Sequence, residues 1–526
     1  MKLVSDPATA KKISKMQQRV KWQDPLILQR GIDQTRLVLA NNHPDNPEFS
    51  FLVVGDSGTG SHWGHDPQRR VAEQILPHRP ECSFILHTGD VIYLVGSSEY
   101  YQQNFIRPYR EFLVGGEHPE KIAYDQMVFN FPVFPVPGNH DYYDLPLILS
   151  LLSLTTLPIR RLLPSQLALD VGLHGSGKGR AYAKAFLDYL QAFQVPGQLG
   201  KHLDNYYTAQ TDTGRCLNYQ AGRFTRLPNR YYTFCYGGID FFALDSNTFN
   251  EPAAIPETRA GIEQRRLLEK RRQDFEQEKL QIMETSAKLN PEHPSAAEKL
   301  DDLQGQISQI EELIVDIDKQ LNTDKTTVTD IEQLEWLKKR LIKSWNTADI
   351  RGRVLYFHHP PYVTEATKWQ QAQTLAIRHR LRAVLDAVAA EVGYLTQGRP
   401  IVDLVLNGHA HCLEHLQTLD TGHADANIHW VVCGGSGYSL RRQRTEGPDL
   451  RETVGDTSKL VARSHLFIGR HGYGSQKRRP YSSLRIDVTG DEHPQFILRP
   501  LVAEWHQRQW HNSEIKSFTL GNTPLF

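Results

Sequence analysis

Five short segments each end an apolar run in residues that can bind a metal or move a proton. FSFLVVGDSG delivers Asp56, and SFILHTGDVIY delivers Asp90 and Tyr93. FPVFPVPGNHD delivers Asn139, His140 and Asp141. RVLYFHHPPY delivers His358 and His359, and VDLVLNGHAH delivers His409 and His411. Carboxylate, phenol, amide oxygen and imidazole are the donors of a hydrolytic centre with two cations about 3.5–4 Å apart and one carboxylate between them. Such a centre also keeps a position open for water or phosphate. Asp56, Asp90, Tyr93, Asn139, His358, His409 and His411 are seven candidate ligands, enough for two sites that share one Asp.

The elements that must position them read as buried strands, because each is a short apolar run closed by Gly or Pro and polar residues. Open α/β sheets place ligands outside the carboxyl ends of their strands. Five such ends carrying donors therefore predict one site. GIDFFALDSN (238–247) and HWVVCGGSGY (429–438) read as further strands of the same sheets. So do RPYSSLRIDVTG and HPQFILRPL near the C-terminus. The expected organisation is a polar lead-in over 1–48, a core over 49–143 and 224–526, an inserted cap over 144–223 and a second insertion over 251–330.

In the second insertion Leu300, Leu303, Ile307, Ile310, Ile314, Ile317 and Leu321 are spaced alternately by 3 and 4, a heptad seam. A weaker line, Leu268, Phe275, Ile282 and Leu289, precedes it, and NPEHPS breaks the two apart. The pattern predicts an antiparallel coiled-coil hairpin whose second arm would be roughly 40 Å long at 1.5 Å per residue. It reads as a spacer or packed helical pair, or as an arm for a protein partner or self-association through 256–325.

In that order, GDSG, GDVIY, GNHD, HHPPY and GHAH resemble the motif set of the calcineurin-like metallophosphoesterases. The first block has Asp56-Ser57-Gly58 and lacks the His many members carry there. Tyr93 stands three residues after Asp90, as in the purple acid phosphatase branch. The resemblance implies a four-layer α/β/β/α sandwich. It implies a first metal on Asp56, Asp90, Tyr93 and His411, and a second on Asp90, Asn139, His358 and His409. It also implies Fe(III) in the first site and Fe, Zn or Mn in the second. The spacing His-x-Pro selects His358, leaving His359 for a supporting place. His140 would face the substrate, and Asp141 would orient it by accepting its other ring proton. His62, His65 and His87 are expected at the surface or behind the ligands. The expected activity is hydrolysis of a small phosphomonoester by metal-bound hydroxide. A phosphodiesterase or nucleotide hydrolase, and a scaffold acting through the coiled coil, are the alternatives.

Composition narrows the field. The chain of 526 residues carries 60 Lys+Arg and 60 Asp+Glu, a balance that argues against general nucleic-acid binding. Five widely spaced Cys with no CxxC argue against a disulfide framework or a Cys-based zinc site. No membrane span is expected. The apolar stretch Leu145–Leu163 is short and bracketed by Pro146 and Pro158, which suits a packed cap helix or a surface contact. The start MKLVSDPATAKKISKMQQ has no apolar run of a signal peptide, so the cytoplasm is the expected location. GLHGSGKG (172–179) falls short of a phosphate-binding Walker loop because Gly179 stands where Ser or Thr is needed. It reads as a cap loop, with Lys178 and Arg180 as outer phosphate contacts.

Overall fold

The computed structural model describes residues 4–40, 47–59, 62, 64–145, 175–290, 292–454, 457–490 and 492–520. The strands, in chain order, are β1 (Ile32–Leu39), β2 (Phe49–Val54), β3 (Ile85–His87), β4 (Val133–Pro135), β5 (Ala209–Thr211) and β6 (Gly214–Tyr219). Then come β7 (Tyr232–Tyr236), β8 (Ile239–Ala243), β9 (Gly352–Tyr356), β10 (Leu404–Asn407), β11 (Leu413–Thr418) and β12 (His429–Cys433). The last are β13 (Asp449–Val454), β14 (Thr457–Ile468), β15 (Arg478–Thr489), β16 (Gln495–His506), β17 (Gln509–Glu514) and β18 (Phe518–Leu520). One sheet has the order β13-β14-β11-β12-β10-β9-β8-β7-β1-β6-β5. The other has β17-β16-β15-β2-β3-β4, with β18 alongside β16.

Side-chain alternation explains why these sheets stack. In β9, Val354 and Tyr356 enter the core between the sheets, while Leu355 and the following Phe357 enter a second core on the far face. Strand β12 divides likewise, with Val431 and Cys433 inward and Trp430 and Val432 outward. A strand buried on both faces needs a continuous apolar run, and that is what these sequences supply. The helices Ile331–Trp345 and Ala372–Val392 cover the outer core with Leu337, Leu341, Ile377, Leu381 and Leu385. The helix Pro67–Ile75 lies on the opposite side, against β15 and β16. The result is the expected four-layer sandwich.

Two expectations are corrected. The lead-in over 1–48 contributes β1, which pairs in parallel with β6 and β7 inside the larger sheet. Its alternating run IDQTRLVL is a half-buried strand that the polar neighbourhood obscured. The segment 144–223 is likewise more than a cap, because β5 and β6 extend the same sheet. The cap part Pro146–His174, including the apolar stretch to Leu163, lies outside the described residues. Of the Walker-like loop, the part from Gly175 is held to Asp144, which accepts from the Gly177 and Lys178 amides.

The second insertion follows the packed-pair alternative. Two helices, Arg259–Ala287 and Pro294–Asn322, do form a hairpin. Antiparallel pairing follows from Arg265 donating to the Leu321 carbonyl, Arg272 pairing with Asp318 and Lys279 with Glu311. The second helix packs on the body along its length. It buries Ile307 and Val315 against Val4, Val95 and Tyr143 of the body. Its Asp316 accepts from the Ala372 and Gln373 amides at 3.1 and 3.0 Å and so caps the helix Ala372–Val392. Gly305 lets it approach closely, since a Cβ there would stand 2.3 Å from Ser439 Oγ. Among the described residues, no helix is long and apolar enough to cross a membrane.

Replacing Gly305 by Val should cost about 1–3 kcal/mol through overpacking, even though Val adds apolar area. Thermal unfolding together with protease sensitivity over 294–322 reads this. An unchanged melting temperature and unchanged protection would show that the close approach is not needed.

Candidate metal centre

Three adjacent parallel strands of the smaller sheet, β2, β3 and β4, end at Val54, His87 and Pro135. The loops beyond them carry Asp56, then Asp90 and Tyr93, then Asn139 and His140. Two adjacent parallel strands of the larger sheet, β9 and β10, end at Tyr356 and Asn407 and deliver His358 and the His409–His411 pair. The site thus straddles both sheets at their carboxyl ends. The turns are tight, and Asp56, Asp90, His409 and His411 take positive φ of 56°, 54°, 68° and 46°. Each such residue costs of order 1–3 kcal/mol and persists only where the surroundings hold it. Gly138 explains one glycine of the motifs, because a Cβ there would lie 2.1 Å from Asp90 Oδ1.

All seven candidate ligands are brought together and buried. The Tyr93 hydroxyl lies 2.9 Å from Asp56 Oδ1, 2.9 Å from Asp90 Oδ2 and 3.2 Å from His411 Nε2. His411 Nε2 is 3.5 Å from Asp56 Oδ1. His358 Nε2 is 2.9 Å from Asn139 Oδ1 and 3.2 Å from Asp90 Oδ2. The rings of His358 and His409 stand 4.9 Å apart. The other ring nitrogens are anchored, His358 Nδ1 on the Thr88 carbonyl at 2.9 Å and His411 Nδ1 on the Ser439 carbonyl at 3.2 Å. These contacts fix the tautomers so that both Nε2 atoms face the cluster.

The electrostatics fit a cation. Burial, the His358 charge and then Asp90 act on Asp56, and the net result lifts its carboxyl well above the usual range. Burial would also raise Asp90, but His358 and His140 hold it below that range. Burial would lower His358, yet the Asp90 charge raises it to about 9. Burial, Asp56 and Asp90 push the Tyr93 phenol well above its ordinary value. Without a cation, Asp56 can sit buried beside Asp90 only by keeping its proton, which conflicts with use as an anionic donor. Positive charge between them removes the conflict, and hard oxygen donors with imidazole suit Fe, Zn or Mn.

One supporting pair differs from expectation. Asp141 does not orient His140. Its carboxylate accepts from the amides of Gly138 at 2.9 Å, Val91 at 3.2 Å and Ile92 at 3.3 Å, so it ties two site loops together. His140 Nδ1 instead donates to the Leu94 carbonyl at 2.6 Å, and its buried Nε2 has no hydrogen-bond partner. His359 turns to Ser246 Oγ at 2.8 Å, although its ring remains 4.5 Å from that of His409. His87 lies behind Ser57 at 2.9 Å. His62 and His65 form a separate group with Asp301 of the inner hairpin helix, His62 Nδ1 standing 2.8 Å from Asp301 Oδ1.

Sequence reasoning missed four neighbours. Tyr438 stacks on Tyr93 with ring centres 4.0 Å apart. Lys368 Nζ lies 3.1 Å from His409 Nε2 and pairs with Glu312 of the inner hairpin helix. Arg441 Nη2 lies 3.6 Å from the same carboxylate. None of them sits in a motif block. Glu312 lies between two heptad positions, where charge ordinarily means a solvated face.

The fold and the cluster define a metal-capable site of the metallophosphoesterase kind. A family model for the calcineurin-like phosphoesterases matches residues 49–283, which include Asp56, Asp90, Tyr93, Asn139 and His140. That match makes residues 49–283 similar to the calcineurin-like phosphoesterases. His358, His409 and His411 lie beyond the matched segment and join it only in space. No curated protein sequence matches the chain. Among solved structures, a purple acid phosphatase from yellow lupin (Lupinus luteus) seeds is similar at 13% identity and a TM-score of 0.40. The comparison covers 90% of this chain and 54% of that one, so the chain spans about half the length of the lupin protein. GAP50, the anchor in the inner membrane complex of Plasmodium, is similar at 11% identity and a TM-score of 0.37, with 89% of each chain covered. PhoD is similar at 13% identity and a TM-score of 0.36, with 90% and 69% covered.

Burial would raise the Glu312 carboxyl, but Lys368, Arg441 and His411 hold it at about 2. Its contribution to docking is complete above the unfolded value of 4.5 and is lost as pH falls through about 2. The depression corresponds to about 3 kcal/mol. Pepsin should therefore cleave within 294–322 increasingly between pH 4.5 and 2, ahead of the sandwich strands. A Glu312→Gln variant should lose that pH dependence. Protection of the helix equal to that of the strands down to pH 2 would show that the pair does not secure it.

Proposed function

We propose that this phosphoesterase is a metal-dependent phosphomonoesterase of purple acid phosphatase type, working at a dinuclear centre. The observation that carries the reading is the burial of Asp56, Asp90 and Tyr93 against one another, with imidazoles converging on both sides. Asp56, Asp90, Tyr93 and His411 would hold the first ion. Asp90, Asn139, His358 and His409 would hold the second. A phenolate donor favours Fe(III) in the first place, with Fe, Zn or Mn in the second. When bound, the ions would acidify a water and polarise the phosphoryl oxygens.

The chain's own residues do the rest. Burial pushes the pKa of His140 down despite the opposing Asp90 charge and Leu94 carbonyl, and its Nδ1–H donates to that carbonyl. Its Nε2 then carries the lone pair, 4.0 Å from Asp90 Oδ2 and directed into the cluster. It can take one proton and return it to the leaving oxygen. Asp141 is a positioning residue that holds the Asp90 and Asn139 loops in register. The near-complete burial of the ligands suits a small phosphorylated substrate.

Three variants test this. Asp90→Asn should lose bound metal and nearly all hydrolysis of p-nitrophenyl phosphate. His140→Ala should keep the metal while kcat falls about 10²–10⁴-fold, the usual range for a proton-transfer group. Tyr93→Phe should abolish a visible absorption band of the iron-loaded protein. A metal-replete, fully active Asp90→Asn variant would sink the assignment.

A further inference from the structure

The feature the proposed reaction does not use is the ion cluster joining the hairpin to the site. Lys368 follows β9 and His358, and Arg441 follows β12, so both cations belong to the same core that carries the ligands. Both are buried, at 1% and 6% exposure. Glu312 comes from the insertion and is 5% exposed. Its carboxylate meets the Lys368 ammonium, which in turn is 3.1 Å from His409 Nε2, and Arg441 Nη2 approaches to 3.6 Å. Arg441 Nη1 spends its hydrogen bonds on the Gly305 carbonyl and Gln309 Oε1, whereas Nε and Nη2 make none. Across the site, His140 Nε2 is also buried without a partner.

Two buried cations beside a hydrolytic centre need an anion, and here the anion is supplied by the chain itself. A carboxylate is the nearest side-chain likeness of a phosphoryl group: a flat pair of negative oxygens for an ammonium and a guanidinium. Guanidinium and ammonium groups hold phosphate by charge-assisted hydrogen bonds. The rest of the inner helix is fastened independently, by Asp316 on the Ala372–Val392 helix, by Lys319 on Asp6 and by Asp302 on Arg470. Glu312 is therefore held in place by more than its own ion pair, at high local concentration.

Resting on the phosphoesterase reading of the same site, we propose that Lys368 and Arg441 are the substrate's phosphoryl-binding cations and that Glu312 occupies their anion position as a built-in competitor. The hairpin is then a self-inhibitory element, and the ligand class that displaces its carboxylate is a phosphate dianion. Monoesters, with a terminal dianion, would gain more from the two cations than diesters.

Inorganic phosphate binding, measured by titration calorimetry on metal-free and metal-loaded protein, tests the competition directly. Glu312→Gln keeps the shape and removes the charge, so it should bind phosphate at least tenfold more tightly than the unaltered chain in both forms. Adding Lys368→Met to that variant should return the affinity to the starting value or below. KM for p-nitrophenyl phosphate should fall with Glu312→Gln, and the monoester-to-diester preference should fall with Lys368→Met. If Glu312→Gln folds poorly, Glu312→Asp, one methylene shorter with the charge retained, should still show a smaller gain. Unchanged phosphate affinity in a folded, metal-replete Glu312→Gln protein that hydrolyses phosphoesters would overturn the competitor and leave the enzyme assignment intact. Tighter phosphate binding with no hydrolysis and no bound metal would support the clamp and count against the phosphomonoesterase reading instead.

Discussion

Asp56 and Asp90 are both fully shielded from water, with the Tyr93 hydroxyl 2.9 Å from each. Their nearest carboxylate oxygens lie within 4.8 Å, and were both ionised they would repel by about 3–4 kcal/mol at an effective dielectric of about 20, before any cost of desolvation. Nothing in the packing of a sandwich requires that arrangement. It is maintained by five strand ends, four left-handed residues and loop ties such as Asp141 on the Val91 and Gly138 amides. The sheets are the rigid support. Their two-sided burial fixes where β2, β3, β4, β9 and β10 stop, and so where the donors meet.

Much of this was legible in the sequence because the information is local. A run such as RVLYFHHPP states both the strand and the donor that follows it, and five such runs specify a common edge. The alternation in β9 and β12 carries the two-sided burial in the same letters. The supporting shell was less legible because it is not local. Asp141 follows His140 directly, which suggested a pair, yet backbone amides from another loop claim its carboxylate. The strand IDQTRLVL was hidden by its polar surroundings, since its partners β6 and β7 lie more than 170 residues away.

The hairpin shows the limit most clearly. Its heptad seam correctly marked two paired helices, but a seam does not say what lies on its other side. Lys279 pairs with Glu311 across the hairpin, while the next residue, Glu312, turns the opposite way into the core cations. Gly305, a poor helix residue, is where the helix comes closest to the loop carrying Ser439. The insertion thereby reaches the site through Glu312, which meets Lys368 beside His409.

Anomalous diffraction at the iron, zinc and manganese edges, from crystals of the protein as purified, would locate any bound ions. Two peaks are expected, one among Asp56, Asp90, Tyr93 and His411 and one among Asp90, Asn139, His358 and His409. A single peak elsewhere, for instance at His62, His65 and Asp301, or no peak after soaking with all three metals, would contradict the proposed dinuclear centre.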